Sequence, residues 1–125
     1  MYNRATKKVV IDAGHGGADP GAVSGNLKEK DLNLEAAQYM YKRLQELGIP
    51  STIVRNTDET LERKERINRI MNAYGNSPDV IMISNHINAG GGDGSCGKLT
   101  FFEKNRQVSI QSLIKYTYFL NYKTY

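Results

Sequence analysis

The chain has 125 residues, a formal charge of +4, 39% hydrophobic and 24% charged residues, so one domain spanning residues 1–125 with its own core is the first expectation. A lone cysteine, Cys96, excludes an internal disulfide and a cysteine-built zinc site, and no apolar run approaches the roughly 18 residues a membrane span needs. The basic balance, with a pI of about 9.2, suits an anionic partner without saying which. No signal-peptide core precedes the first apolar stretch, so synthesis in the cytosol, or prior removal of a leader, is expected.

In chain order, Lys8-Val9-Val10-Ile11-Asp12 reads as a short buried strand closed by a turn signal. Residues 13–26 read as loop, with five glycines and Pro20. The spacing of Leu34, Ala37, Tyr41, Leu44 and Leu47 predicts a helix from about Lys30 to Leu47, ended by Gly48 with Pro50 just beyond. Ser51–Arg55 is a second predicted strand and Asn56-Thr57-Asp58 a turn. Leu61, Ile67, Ile70, Met71 and Tyr74 mark a second helix from Leu61 to Tyr74. Asp79–Ser84 is a third strand, apolar at nearly every position as for a strand covered on both faces. A glycine-rich loop, Gly90–Gly97, leads to a fourth strand at Lys98–Phe102, and Val108 to about Leu120 reads as a last helix. This alternation predicts an α/β domain: a twisted, mostly parallel sheet flanked by helices.

In open sheets of that class, ligands bind beyond the carboxyl ends of the strands. The only two histidines, His15 and His86, follow the first and third predicted strands. Two imidazoles at one sheet edge suit a metal ion, and zinc takes neutral imidazole and carboxylate in a tetrahedral shell. Glu29, where the first loop meets the first helix, is placed to be a third ligand; Asp12, Asp19, Asp31 and Asp93 are the rival carboxylates. A nucleotide-binding reading of Gly14-His15-Gly16-Gly17 is set aside, because Gly-x-Gly-x-x-Gly is not completed and no Gly-Lys-Ser/Thr follows.

Val10-Ile11-Asp12-Ala13-Gly14-His15-Gly16-Gly17-Ala18-Asp19-Pro20-Gly21-Ala22 resembles the opening motif of the amidase-3 family, the zinc-dependent N-acetylmuramoyl-L-alanine amidases. Lys28-Glu29-Lys30-Asp31-Leu32-Asn33-Leu34 resembles its second motif, and Ser84-Asn85-His86-Ile87-Asn88-Ala89 its third. Arg55-Asn56-Thr57-Asp58 and the helix after it are similar to the intervening segment. The likeness is strong over residues 8 to 102 and weak beyond. It implies Zn2+ as cofactor, His15, Glu29 and His86 as its ligands, and Asn88 as a residue that holds the third loop. It further implies peptidoglycan as substrate, cut at the amide between N-acetylmuramic acid and L-alanine. The cell wall or extracellular space is then the site of action, reached by phage-type or mother-cell release if no leader exists.

The catalytic general base is not found. The resemblance puts a glutamate near the C-terminal end of the family domain, after a final apolar strand, and no such segment follows Tyr118. In Gly97-Lys98-Leu99-Thr100-Phe101-Phe102, Leu99 stands where the family strand has another glutamate. Glu103 is the remaining weak candidate for the base, as the only acidic residue after Asp93. The C-terminal part is therefore expected to be truncated or divergent. Two functional readings follow: a working amidase, or a catalytically impaired zinc- and wall-binding remnant. A missing strand would also expose a sheet edge through which the chain could dimerise. Cys96, in a glycine-rich loop, reads as an inert thiol. The mixed charges of residues 55–69 read as a solvated face with local ion pairs. The tyrosines at 116, 118, 122 and 125 read as packing residues, so nucleic acid is not an expected partner.

Overall fold

A computed structural model describes residues 7–87, 98–103 and 106–110, the last two segments as backbone. Strand β1 spans Lys8–Ala13, and a two-stranded hairpin follows, β2 at Val23–Ser24 and β3 at Leu27–Lys28. Helix α1 covers Glu29–Glu46, β4 Ser51–Ile53, α2 Arg63–Tyr74 and β5 Val80–His86. Strands β6, Lys98–Glu103, and β7, Arg106–Ile110, complete the order. The main sheet runs β4-β1-β5-β6-β7, with β1 parallel to β4 and β5, and β6 and β7 antiparallel to their neighbours.

The order of strands decides where a site can form. From β1 the chain crosses outward to β4, then returns over β1 to reach β5. Crossovers of this kind are right-handed, so the two steps put α1 and α2 on opposite faces. Alternation along β1 agrees. Val9, Ile11 and Ala13 form the buried core with Ala37 of α1, joined by Met40, Tyr41, Leu44, Ile49, Ile53 and Ile83. Asp12 projects the other way and meets Arg66 of α2. Strand order therefore reverses between β1 and β5, the position where ligands of open α/β sheets bind.

Most predicted elements form within two residues of their expected limits, and the differences have causes. The hairpin β2–β3 lies inside the segment read as loop; Gly25, at φ 57°, supplies its turn. Strand β4 stops at Ile53 rather than Arg55, because Arg55 turns inward and is 1% exposed. Strand β5 is half-buried over most of its length rather than covered on both faces, since α2 contributes no buried residue. It also runs two residues further than predicted, so His86 is its last residue. The helix expected from Val108 begins instead as strand: residues 108–110 belong to β7, which pairs with β6. The remainder of that expected helix, with the four tyrosines, lies outside the described residues.

Candidate metal centre

His15 lies two residues beyond β1 in a left-handed backbone conformation, φ 61°, an unfavourable state for a residue with a Cβ. The surrounding structure enforces it. Arg66 donates to the His15 carbonyl at 2.9 Å and to the Ala13 carbonyl at 2.8 Å. Arg55 donates to the carbonyls of Ala13 and Gly14, each at 3.1 Å. Three successive carbonyls are thus held by two guanidinium groups. Arg55 also donates to the Lys30 carbonyl at 2.7 Å, which ties the His15 loop to the first turn of α1. Lys30 closes the same joint from its side, donating to Gly17 O at 2.9 Å and pairing with Asp58.

Glu29 is the first residue of α1 and 6% exposed. Its Oε2 accepts the Ala22 amide at 2.9 Å, and its Oε1 accepts the Ile87 amide at 2.9 Å and Asn33 Nδ2 at 3.3 Å. Burial pushes the Glu29 carboxyl towards its neutral form. The Ala22 and Ile87 amides, Asn33 and His15 outweigh this and hold it below its ordinary value. A helix N-terminus favours the same ionised state. Asn33 is fully buried one turn along α1; its Nδ2 also reaches Gly14 O at 3.3 Å, and its Oδ1 has no partner among the described residues.

His86 closes the site from the end of β5. Its Nδ1 lies 3.3 Å from Glu29 Oε1, and His15 Nε2 lies 3.2 Å from the same oxygen. The two rings meet edge to face, centroids 5.0 Å apart. One ligand atom from each of His15, Glu29 and His86 lies within 4.8 Å of the others. Zinc bonds of about 2.0–2.1 Å at tetrahedral angles separate ligand atoms by roughly 3.3 Å. The two nitrogen–oxygen distances match that edge, and two imidazoles with one ionised carboxylate are a donor set zinc accepts. Glycine is required where the loop meets these rings. A Cβ on Gly14 would stand 2.3 Å from His86 Cε1, and one on Gly21, at φ 64°, 2.7 Å from His15 Cδ2.

The rival carboxylates have other tasks. Asp12 pairs with Arg66 and accepts from Ser84. Asp19 accepts from His15 Nδ1 at 2.8 Å and from the Gly21 amide at 3.0 Å; the first of these bonds chiefly holds its carboxyl below the ordinary value. Asp31 is exposed and outside the cluster. Asp93, Asn88 and Cys96 lie outside the described residues. Backbone register sets Lys98 opposite His86, with β6 running antiparallel from there to Glu103. Glu103 is thus five residues further along, roughly 17 Å at strand rise, towards the opposite edge of the sheet.

Sequence reasoning missed Asn33, Arg55 and Arg66. Asn33 had a signal: it stands four residues after Glu29 and four before Ala37, on the inward stripe of α1. The arginines were misread, because Arg55 and Arg66 point into the sheet. The rest of the run behaves largely as read: Glu62, Arg63, Lys64 and Glu65 are exposed, and Arg69 pairs with Glu59 and Glu65 while also donating to Val54 O.

The family model described as Amidase_3, N-acetylmuramoyl-L-alanine amidase, matches residues 9–118. Among curated proteins, the chain is 38% identical over 99 residues to the uncharacterized protein YqiI of Bacillus subtilis, covering 79% of this chain and 46% of that one. It is 36% identical over 89 residues to the sporulation-specific N-acetylmuramoyl-L-alanine amidase of the same organism, covering 70% and 33%. Among solved structures, it resembles the catalytic domain of CwlV, an N-acetylmuramoyl-L-alanine amidase from Bacillus (Paenibacillus) polymyxa var. colistinus. That match has a TM-score of 0.60 at 36% identity, over 71% of this chain and 49% of that one. Cwp6 from Clostridium difficile gives a TM-score of 0.62 at 36% identity, over 72% of this chain and 14% of that one. The chain spans less than half the length of these relatives. With the family model matching most of its length, and with the motifs seated on this fold, the chain belongs to the Amidase_3 family of N-acetylmuramoyl-L-alanine amidases.

Proposed function

We propose that the chain is a single catalytic domain that binds Zn2+ through His15, Glu29 and His86 and hydrolyses peptidoglycan at the amide joining N-acetylmuramic acid to L-alanine. The observation that carries this reading is the convergence of those three side chains, from β1, α1 and β5, at the reversal of strand order. When bound, zinc supplies Lewis acidity for the scissile carbonyl and lowers the pKa of a water. The chain's own residues prepare for this. Glu29 is kept ionised in a buried position by two backbone amides. Arg55 and Arg66 fix the loop that carries His15, and the Ile87 amide ties the end of β5 to Glu29.

A second reading is an impaired zinc- and wall-binding remnant, in which no residue of these 125 takes the part of the general base. Leu99 stands at one family glutamate position, and register directs Glu103 away from His86. Loss of a general base costs about 10²–10⁴-fold in rate. The site of action under either reading is the bacterial cell wall, whose acidic polymers suit the chain's +4 charge. No helix among the described residues is long and apolar enough to cross a membrane. Dimerisation through a sheet edge would involve β4 or β7, the outermost strands described, and sedimentation would read it.

Metal analysis and dye release from labelled walls test both readings. About one equivalent of Zn2+ is expected on the wild type and none on His86→Ala. A wild type without zinc would reject both. Dye release by the wild type and none by His86→Ala establishes the enzyme; equal, negligible release leaves the remnant.

A further inference from the structure

We propose that Asp19 is a positioning residue for the metal centre, holding the His15 proton on Nδ1 so that Nε2 faces Glu29 and His86 with a free lone pair. The proposal rests on the zinc reading above, but the tautomer it predicts is a property of the metal-free chain.

An ionised carboxylate only accepts hydrogen bonds, so the 2.8 Å contact from Asp19 Oδ2 requires Nδ1 of a neutral His15 to carry the hydrogen. Asp19 is itself fixed twice. Its Oδ1 accepts the Gly21 amide at 3.0 Å. Its backbone exchanges two hydrogen bonds with Gly16, at 2.9 and 3.1 Å, closing the loop that starts at His15. The carboxylate is therefore set against the imidazole by the main chain rather than by packing.

The consequence appears at the far side of the ring. With Nδ1 as donor, Nε2 presents a lone pair to Glu29 Oε1 at 3.2 Å, where that oxygen already accepts the Ile87 amide. Two lone pairs facing one another repel unless a cation sits beside both. The opposite tautomer would put an N–H on Nε2 and donate it to Glu29, closing the site as an ordinary hydrogen bond that a metal must first break. Asp19 thus selects the tautomer that leaves the site open to a cation. His86 has no equivalent: among the described residues its Nε2 has no hydrogen-bond partner. The Asp19 side chain is 63% exposed, so its removal is not expected to disturb the core.

The test compares wild type, Asp19→Ala and Asp19→Asn, each stripped of metal and held at the same pH of about 8. Long-range proton–nitrogen spectra read the His15 tautomer, and competition with a chelating dye reads Zn2+ affinity. The wild type is expected to carry the hydrogen on Nδ1. In Asp19→Ala it should move substantially to Nε2, with Zn2+ affinity lower by about 10- to 100-fold. Asp19→Asn should be no better, because its amide can donate to Nδ1 and favour the wrong tautomer. Unfolding temperatures of the metal-free proteins should stay close, which separates positioning from a general structural role. A wild-type hydrogen on Nε2, or Zn2+ affinity within twofold in both variants, overturns the proposal. A wild type that binds no Zn2+ removes the zinc reading, while the spectra still decide what Asp19 does to His15.

Discussion

The two faces of the sheet are held by different forces. On the α1 face, Val9, Ile11 and Ala13 pack against Ala37 with Met40, Tyr41 and Leu44 around them. On the α2 face, the helix buries no residue, and Ile67 and Met71 are 48% and 44% exposed. Helix α2 is tied down instead by guanidinium groups: Arg66 on Asp12, Ala13 O and His15 O, Arg69 on Val54 O and Glu59. Apolar contact is non-directional and scales with area, so the α1 face supplies stability. Guanidinium bonds are directional and address particular backbone atoms, so the α2 face supplies position. The atoms addressed carry the first metal-ligand candidate.

The largest expected effect is on the α1 face. Ile11 is fully buried, and Ile11→Ala should cost about 4 kcal/mol of unfolding free energy, within the range for such deletions. Zn2+ affinity of the folded fraction should stay within about threefold, because no bond to the site is lost. Next comes Arg66→Ala. It leaves Asp12, 4% exposed, without its cation, and breaking such a pair costs about 3 kcal/mol. It also frees the His15 carbonyl, so Zn2+ affinity should fall about tenfold as well. Denaturant titrations of metal-free protein and dye competition read the two quantities. A variant pair in which Ile11→Ala also loses affinity, or Arg66→Ala does not, would erase the distinction between the faces.

The α1 face was the more legible in sequence, for a physical reason. Apolar periodicity reports which side of an element meets a core, so β1, α1 and β4 could be read from Val9, Ile11, Ala37, Leu44 and Ile53. Carbonyl acceptors leave no such trace, since every residue has one. Nothing in the order of residues distinguishes Arg66, aimed at His15 O, from Arg63 or Lys64 beside it, and the interleaved glutamates suggested a solvated helix. The metal candidates were legible because strand-end placement constrains where His15 and His86 emerge. The hairpin was missed although Gly25-Asn26 between Ser24 and Leu27 is a two-residue hairpin signal. The strand at 108–110 was not readable locally, because its pairing partner is what makes it a strand.

Acid should weaken the ionic tie of the α2 face through Glu59. Its bond to Arg69 holds Glu59 below its ordinary 4.5, while Asp58 is held below 3.8 by Lys30 of α1 rather than by α2. A carboxylate with a depressed folded value adds stability above its unfolded value and loses it as pH falls through the folded one. Metal-free protein should therefore lose stability on acidification below about pH 4.5. Glu29 and Asp19 are depressed too and add to the wild-type slope, so the test is a difference. Glu59→Gln should flatten the decline measurably, whereas Ile11→Ala should shift the whole curve and keep its shape. Denaturation midpoints across a pH series in chelator decide this; parallel curves for wild type and Glu59→Gln would remove the ionic account of α2.

The smallest effect tests the α2 face where it is apolar. The spacing of Ile67, Ile70, Met71 and Tyr74 predicts a core-facing stripe, yet Ile67 and Met71 are exposed while Ile70 and Tyr74 are half-buried. If guanidinium bonds hold this helix, the exposed pair contributes little. Lysine and methionine have similar helix propensity, so Met71→Lys changes the surface without penalising the helix. The expected change is within about 0.5 kcal/mol, as for substitutions away from buried features. Ile67→Lys should be equally mild. A loss above about 1 kcal/mol in either would mean that the stripe is covered in the folded chain. The α2 face would then owe its stability to apolar contact as the α1 face does, and Arg66 would only orient a helix already held in place.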